Sequence, residues 1–173
     1  EWVTPTVLSV VFNPAIRFHY ESGQFITVLV PPGQTGEEGE RRCYTLAIAH
    51  EEAVVSGYRI FIRFVPGGAG SEFLASLKRG DTFLASGPFG EFHYRKPVDN
   101  RNIVFIAAST GVATIRAIVG SSEFMATSPK KKILLLGVRS EQEILFPGYF
   151  ESRGVEVIPC MTRPENLTYG LWG

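Results

Sequence analysis

The sequence predicts a β-barrel followed by an α/β unit, and a change of rhythm near Pro97 is the main reason. Before it, short alternating or apolar runs are punctuated by glycine and proline, as in strands joined by tight turns. After it, an apolar run, a helical stretch and a second apolar run follow one another, which makes a βαβ unit and implies a parallel sheet. Residues 1–97 are thus expected to form an antiparallel barrel and residues 98–173 an α/β domain built on a parallel sheet. About three strands are visible in the second part, against five or six in a full doubly wound domain. A truncated parallel sheet is the expectation.

In the first part, strands are expected over Thr6–Val11, Gln24–Val30, Cys43–Ala49, Tyr58–Phe64 and Thr82–Ser86. A short helix, Ser71–Leu77, interrupts them, with Ser71 as N-cap and Lys78-Arg79-Gly80 as its stop. Several short strands with one small helix point to a closed barrel. In the second part, Asn102–Ala108 and Lys132–Gly137 read as strands buried on both faces. Ala113–Phe124 reads as a helix, Ile144–Arg153 as a helix or turn, and Val155–Cys160 as a third strand. Gly33–Arg42 is expected to be an exposed loop, and Pro97–Asn102 the joint.

Composition excludes several classes. With 45% hydrophobic and 20% charged residues the chain can build a core, which rules out disorder. Seventeen basic residues balance 17 acidic ones, so bulk charge does not favour nucleic acid as a partner. The longest apolar run, Ile103–Ala108, is far below the ~18–20 residues of a membrane span. The chain starts Glu1-Trp2-Val3 and ends Leu171-Trp172-Gly173, as a trimmed chain would. Cys43 and Cys160 are too few for a four-thiolate iron–sulfur site or a zinc knuckle, and no metal site is expected. A reducing, cytoplasmic setting fits two distant cysteines. His19, His50 and His93 lie in unrelated contexts with no nucleophile partner, so no hydrolytic apparatus is visible.

Five constellations remain. In Arg42-Cys43-Tyr44-Thr45, alternation puts Arg42 and Tyr44 on one face. A guanidinium beside a phenol suits a ligand with a phosphate and a flat ring, although on pattern alone an ordinary edge-strand pair half-covering the barrel is the commoner origin. In Val65 to Ser71, glycines ahead of a helix let backbone N–H groups converge as an anion cradle, or simply form a capped turn. Gly87-Pro88-Phe89-Gly90-Glu91-Phe92 fixes a turn. In Ala107 to Thr114, small residues between a strand and a helix let a phosphate approach, although the Gly-x-Gly-x-x-Gly fingerprint is missing. Finally, Arg139 and the pair Thr162-Arg163 follow the next two strands, at the edge where α/β ligands bind; they are phosphate contacts or plain surface charge.

Taken in order, these motifs resemble the ferredoxin–NADP reductase family, and Tyr20 to Phe25 is similar to its Pro-Gly-Gln-Phe signature, with Ser22 for the proline. The resemblance covers essentially the whole chain. It implies an FAD-binding antiparallel barrel and an NADP(H)-binding α/β domain. It also implies that Arg42 pairs with FAD phosphate, Tyr44 stacks on the flavin, and Thr45 lies near flavin N5, with Leu46 alongside. Tyr44 and Thr45 are thereby its catalytic pair. Gly68, Ala69, Gly70 and Ser71 would cradle the FAD pyrophosphate. Thr110, Gly111 and Val112 would meet the nicotinamide nucleotide, and Thr162 with Arg163 would hold the 2′-phosphate, with Arg139 a further cofactor-binding residue at the same edge. Ferredoxin or a similar one-electron carrier is the implied partner.

The chain departs from the family at the nucleotide turn. Ser109-Thr110-Gly111-Val112-Ala113-Thr114 stands where Gly-Thr-Gly-x-Ala-Pro is usual, and Phe146 where a tyrosine often sits. A Cβ on Ser109 is expected to crowd the dinucleotide, and loss of the proline to loosen the turn. Two other expectations therefore stand beside the reductase: a flavin-binding module with an impaired nicotinamide site, and the reductase component of an oxygenase.

Overall fold

The computed structural model describes residues 1–32, 39–94 and 99–163, and the backbone of 171–172. Alternation in the first part yields six strands: β1 (Trp2–Thr4), β2 (Val7–Phe12), β3 (Phe25–Val30), β4 (Glu40–Thr45), β5 (Tyr58–Arg63) and β6 (Ala85–Phe89). They form two antiparallel sheets, ordered β1-β2-β5 and β4-β3-β6. Ile26, Val28 and Val30 occupy one face of β3 and share a core with Leu8, Ile60 and Ile62 of the other sheet. After β4 the chain crosses between sheets. Leu46 N–H donates to Gln24 O and Ala47 N–H to Arg59 O, each at 2.9 Å, closing one corner of the barrel.

Several boundaries differ from expectation, each for a local reason. β4 occupies Glu40–Thr45 rather than Cys43–Ala49 because its register with β3 runs from Phe25↔Thr45 to Val30↔Glu40. The apolar residues Leu46–Ala49 are instead the buried crossover, and the expected loop Gly33–Arg42 gives way to strand at Glu40. A helix not foreseen, α1 (His50–Ser56), follows. α2 (Ala69–Ser76) starts ahead of the expected Ser71 cap: Gly68 is the N-cap, and Ser71 is buried inside the first turn. β6 lies three residues beyond Thr82–Ser86; Gly87 and Pro88 are tolerated because it is an edge strand with a bulge.

The second part contains β7 (Asn102–Ala108), α3 (Val112–Gly120), α4 (Ser122–Met125), β8 (Lys131–Val138), β9 (Val155–Met161) and β10 (Leu171–Trp172). The sheet is parallel, ordered β10-β9-β8-β7, so four strands replace the three expected. The expected helix Ala113–Phe124 is broken at Ser121, whose hydroxyl accepts from Phe124 N–H and caps α4. Of the two readings of Ile144–Arg153, the turn holds: Phe146 and Gly148 take positive φ around Pro147, and Glu151–Arg153 winds into a 3-10 turn. β7 is buried on one face only. Phe105 packs on Phe124, whereas Val104 and Ile106 are 52% and 76% exposed.

The two parts share a core. Val7, Ala47 and Phe61 of the barrel pack with Val112, Ile115 and Leu134 of the α/β unit. Side-chain bonds reinforce the junction: Arg116 of α3 donates to Ala47 O and pairs with Glu52, and Ser122 bonds the Glu51 carboxylate.

His50, which opens α1, stands ring to ring with His19 at 4.4 Å, so two histidines that looked unrelated are neighbours. Burial, then His19, hold the His50 pKa below its ordinary value, with Glu51 opposing. A cation at a helix start is also disfavoured by the dipole. Below the ordinary histidine value of about 6.5, the unfolded chain therefore binds a proton that the folded chain resists. Stability from this group is present above that pH and is lost as the pH falls toward the lowered value. His50→Gln is expected to flatten that acid limb, read from urea midpoints across the same pH range.

Candidate functional site

Pairing of β3 with β4 sets the first half of the site. Tyr44 lies opposite Ile26 and Arg42 opposite Val28, so both rise from the face that carries the barrel core. The turn before α2 closes over them. A Cβ on Gly70 would stand 2.8 Å from Tyr44 Oη and 2.9 Å from Arg42 Cγ, so only glycine lets the three groups meet. Ala69, Gly70 and Ser71 form the first turn of α2, where the helix supplies no acceptor for their N–H groups and Gly68 has no capping side chain. The Ser71 hydroxyl is occupied, accepting from Val65 N–H, so it shapes the turn. The Arg42 guanidinium is half-exposed and pairs with Glu40. Burial pushes the Tyr44 phenol above its ordinary value against the opposing pull of Arg42, so the ring stays neutral. Guanidinium, neutral ring and open N–H groups in one place fit a ligand with both an anionic group and a flat ring.

Thr45 and Leu46 are placed differently. Thr45 pairs with Phe25, on the opposite face from Tyr44, and its Oγ1 is 3.4 Å from Thr114 Oγ1 of α3. It therefore sits where the two parts meet. Leu46 is fully buried, so its side chain belongs to the core and not to a ligand surface.

The second half gathers at the carboxyl edge of the parallel sheet. Ser109–Gly111 form a single 3-10 turn after β7, and beyond Gly111 lies open space. Thr110 is half-buried and Gly111 exposed. Val112 is fully buried, with its N–H bonded to Ser109 O and Thr110 O, so of the three expected contacts only Thr110 and Gly111 present surface. Backbone bonds tie the ends of β8 and β9 together: Thr162 N–H donates to Val138 O and Arg163 N–H to Arg139 O. Arg139, Thr162 and Arg163 thus share one exposed rim.

Sequence reasoning missed the groups that join the halves. Arg63, at the end of β5, donates to Ser109 Oγ at 2.7 Å and grips Glu143 with both terminal nitrogens, at 2.9 to 3.2 Å. Phe61, two residues earlier on the same face, packs edge-on against Phe146 at 4.8 Å. The signal available was the departure at Ser109 and Thr114: both unusual residues turn out to bond the barrel, so the turn is tied down rather than loosened.

Comparison with known proteins agrees with this geometry. A family model described as an oxidoreductase FAD-binding domain matches residues 7–94, slightly more than half the chain. The chain belongs to the oxidoreductase FAD-binding domain family. Among its relatives, the reductase subunit of an aromatic O-demethylase from Amycolatopsis is 30% identical, over 87% of this chain and 45% of that protein. Ferredoxin–NADP reductase B from Sorangium cellulosum is 33% identical, over 78% of this chain and 52% of its own length. In solved structures, a cytochrome P450 reductase of Amycolatopsis superposes with a TM-score of 0.82 at 25% identity, over 100% of this chain and 52% of that one. The chain spans about half the length of the curated relatives it matches. The expected resemblance to ferredoxin–NADP reductases and the barrel-plus-α/β fold are both met.

Proposed function

We propose that this chain holds the flavin and nucleotide sites of a reductase that moves a hydride between NADP(H) and FAD, and single electrons to or from ferredoxin or a similar carrier. The contact between Thr45 and Thr114 supports this reading, because it joins the strand that bears Arg42 and Tyr44 to the helix that follows the Ser109–Gly111 turn. Bound FAD supplies a ring able to accept a hydride and release electrons singly. The chain's own residues do the placing. Arg42 and the N–H groups of Ala69, Gly70 and Ser71 hold the FAD phosphates, Tyr44 stacks on the flavin, and Thr45 borders its reacting edge. Thr110 and Gly111 receive the nicotinamide nucleotide, while Arg139, Thr162 and Arg163 hold the 2′-phosphate. Little acid–base apparatus is needed for a hydride passed between two stacked rings.

Relatives named as ferredoxin–NADP reductase and as reductase components of terephthalate dioxygenase and phenol hydroxylase support a one-electron carrier as partner. Among the described residues no helix is long and apolar enough to cross a membrane. Cys43 and Cys160 are free thiols, which supports a cytoplasmic setting.

The deciding experiment adds NADPH anaerobically to the full-length, FAD-loaded protein and follows flavin absorbance. Bleaching is expected, and Arg163→Ala should raise the half-saturating NADPH concentration by about tenfold while leaving NADH little changed. Equal effects on both nucleotides would remove the 2′-phosphate assignment. Retained flavin that stays oxidised would instead mark a flavin-binding module.

A further inference from the structure

Ser109 is a non-glycine residue held at φ +49°, in the left-handed region that side chains rarely adopt. A serine there needs something to hold it, and the structure supplies it from the other half of the molecule. The Arg63 guanidinium reaches across from β5, donating at 2.7 Å to the Ser109 hydroxyl and in a fork to both carboxylate oxygens of Glu143. Glu143 ends the 3-10 turn Glu141–Glu143 that follows β8. One arginine therefore pins the two loops at the carboxyl edge of the parallel sheet to a single strand of the barrel. The pair is well shielded, with the Arg63 and Glu143 side chains 24% and 12% exposed. Such a charged, two-pronged contact is directional as well as attractive, so it fixes orientation and not only distance. Phe61 braces the same loop one strand-step away, against Phe146, itself at φ +60°.

We propose that Arg63 is a positioning residue for the nucleotide turn. Through Ser109 and Glu143 it sets the turn Ser109–Gly111 at a fixed place relative to the flavin-binding barrel, and so sets the nicotinamide against the flavin. Arg63 itself touches neither ring. This inference rests on the reductase reading above. It gives Ser109 a role: its hydroxyl is the handle by which the barrel holds the turn.

The test is a double-mutant cycle of Arg63→Met and Ser109→Gly in the full-length, FAD-loaded protein. Glycine suits φ +49°, so Ser109→Gly removes the handle without threatening the fold. Each single variant should lower the limiting rate of flavin bleaching by NADPH at least about tenfold, the cost of a slightly misplaced reactant. Half-saturation should stay within about threefold, because the charged rim proposed to hold the 2′-phosphate, which neither substitution touches, supplies most of the affinity. The double variant should be no slower than the slower single, since both break one contact. Independently of turnover, amide hydrogen exchange at Thr110 to Val112 should accelerate about tenfold in both variants, with β3 amides unchanged. A limiting rate and turn exchange that stay at wild-type values in Ser109→Gly would overturn the proposal. So would a change in half-saturation alone, which would make Arg63 a nucleotide-binding charge. If the wild-type protein keeps FAD but is never bleached, the reductase reading fails, and the exchange measurement still decides whether Arg63 sets the turn.

Discussion

Gly70→Ala is expected to weaken FAD retention by about 10- to 100-fold, equivalent to losing one hydrogen bond to a charged group. Its thermal midpoint without flavin should barely move. The contrast is what makes the experiment informative. Alanine is the better helix former by roughly 0.5–1 kcal/mol, and Gly70 lies in the first turn of α2 with no positive φ. On helix propensity alone the variant should gain stability. Against that, the new methyl would stand 2.8 Å from Tyr44 Oη and 2.9 Å from Arg42 Cγ. Tyr44 Oη is the far end of a half-buried ring and Arg42 is an exposed side chain, so the two shift aside and the protein stays folded. What gives way is the ring-and-guanidinium pair proposed to hold the cofactor. Equilibrium dialysis of FAD alongside calorimetry of the flavin-free chain reads both quantities, and unchanged flavin affinity would remove Arg42 and Tyr44 from the site.

Leu134→Ala should cost about 2–5 kcal/mol, the range for truncating a well-packed core leucine. Leu134 lies on β8, in the middle of the parallel sheet, and is fully buried. Its cluster includes Val7, Ala47 and Phe61 from the barrel. The damage should therefore not stay in the α/β unit. Urea unfolding followed separately by a barrel probe and an α/β probe should show both transitions moving together to lower denaturant. A barrel transition left in place would mean that the shared cluster contributes little to coupling.

Much of this architecture was legible in the residues because it follows local rules. The change of rhythm near Pro97 separated antiparallel from parallel strands, and β7 was read to the residue, since seven consecutive residues from Asn102 give it no periodicity to misjudge. What failed was set by distant partners. The end of β4 depends on where β3 stops pairing, and the apolar run Leu46–Ala49 looks like strand until it is seen crossing between sheets. Ser71 has the residue type of an N-cap but spends its hydroxyl on Val65, six residues back. The candidate site, which remains a proposal as a site, was readable only as separate pieces, Arg42 with Tyr44, the turn at Gly68–Ser71, and Ser109–Gly111. Their joining was not, because Arg63, Glu143 and Thr114 look like ordinary surface residues until the two halves are packed together. Leu46 and Val112 were carried along by their neighbours in sequence, and burial removes their side chains from any ligand surface.

The common core also bears on how such proteins can be recombined. A chimera spliced between the last antiparallel and the first parallel strand would respect the chain's order but not its packing. Val7, Ala47 and Phe61 would arrive against foreign neighbours, and the Arg63 fork would meet a loop that need not offer an acid. Under the proposed function, exchange of cofactor preference between two members would succeed more readily by grafting the rim around Arg139 and Arg163, which is exposed and tied in by backbone bonds. The seam that matters to an engineer is thus a surface in space and not a position along the chain.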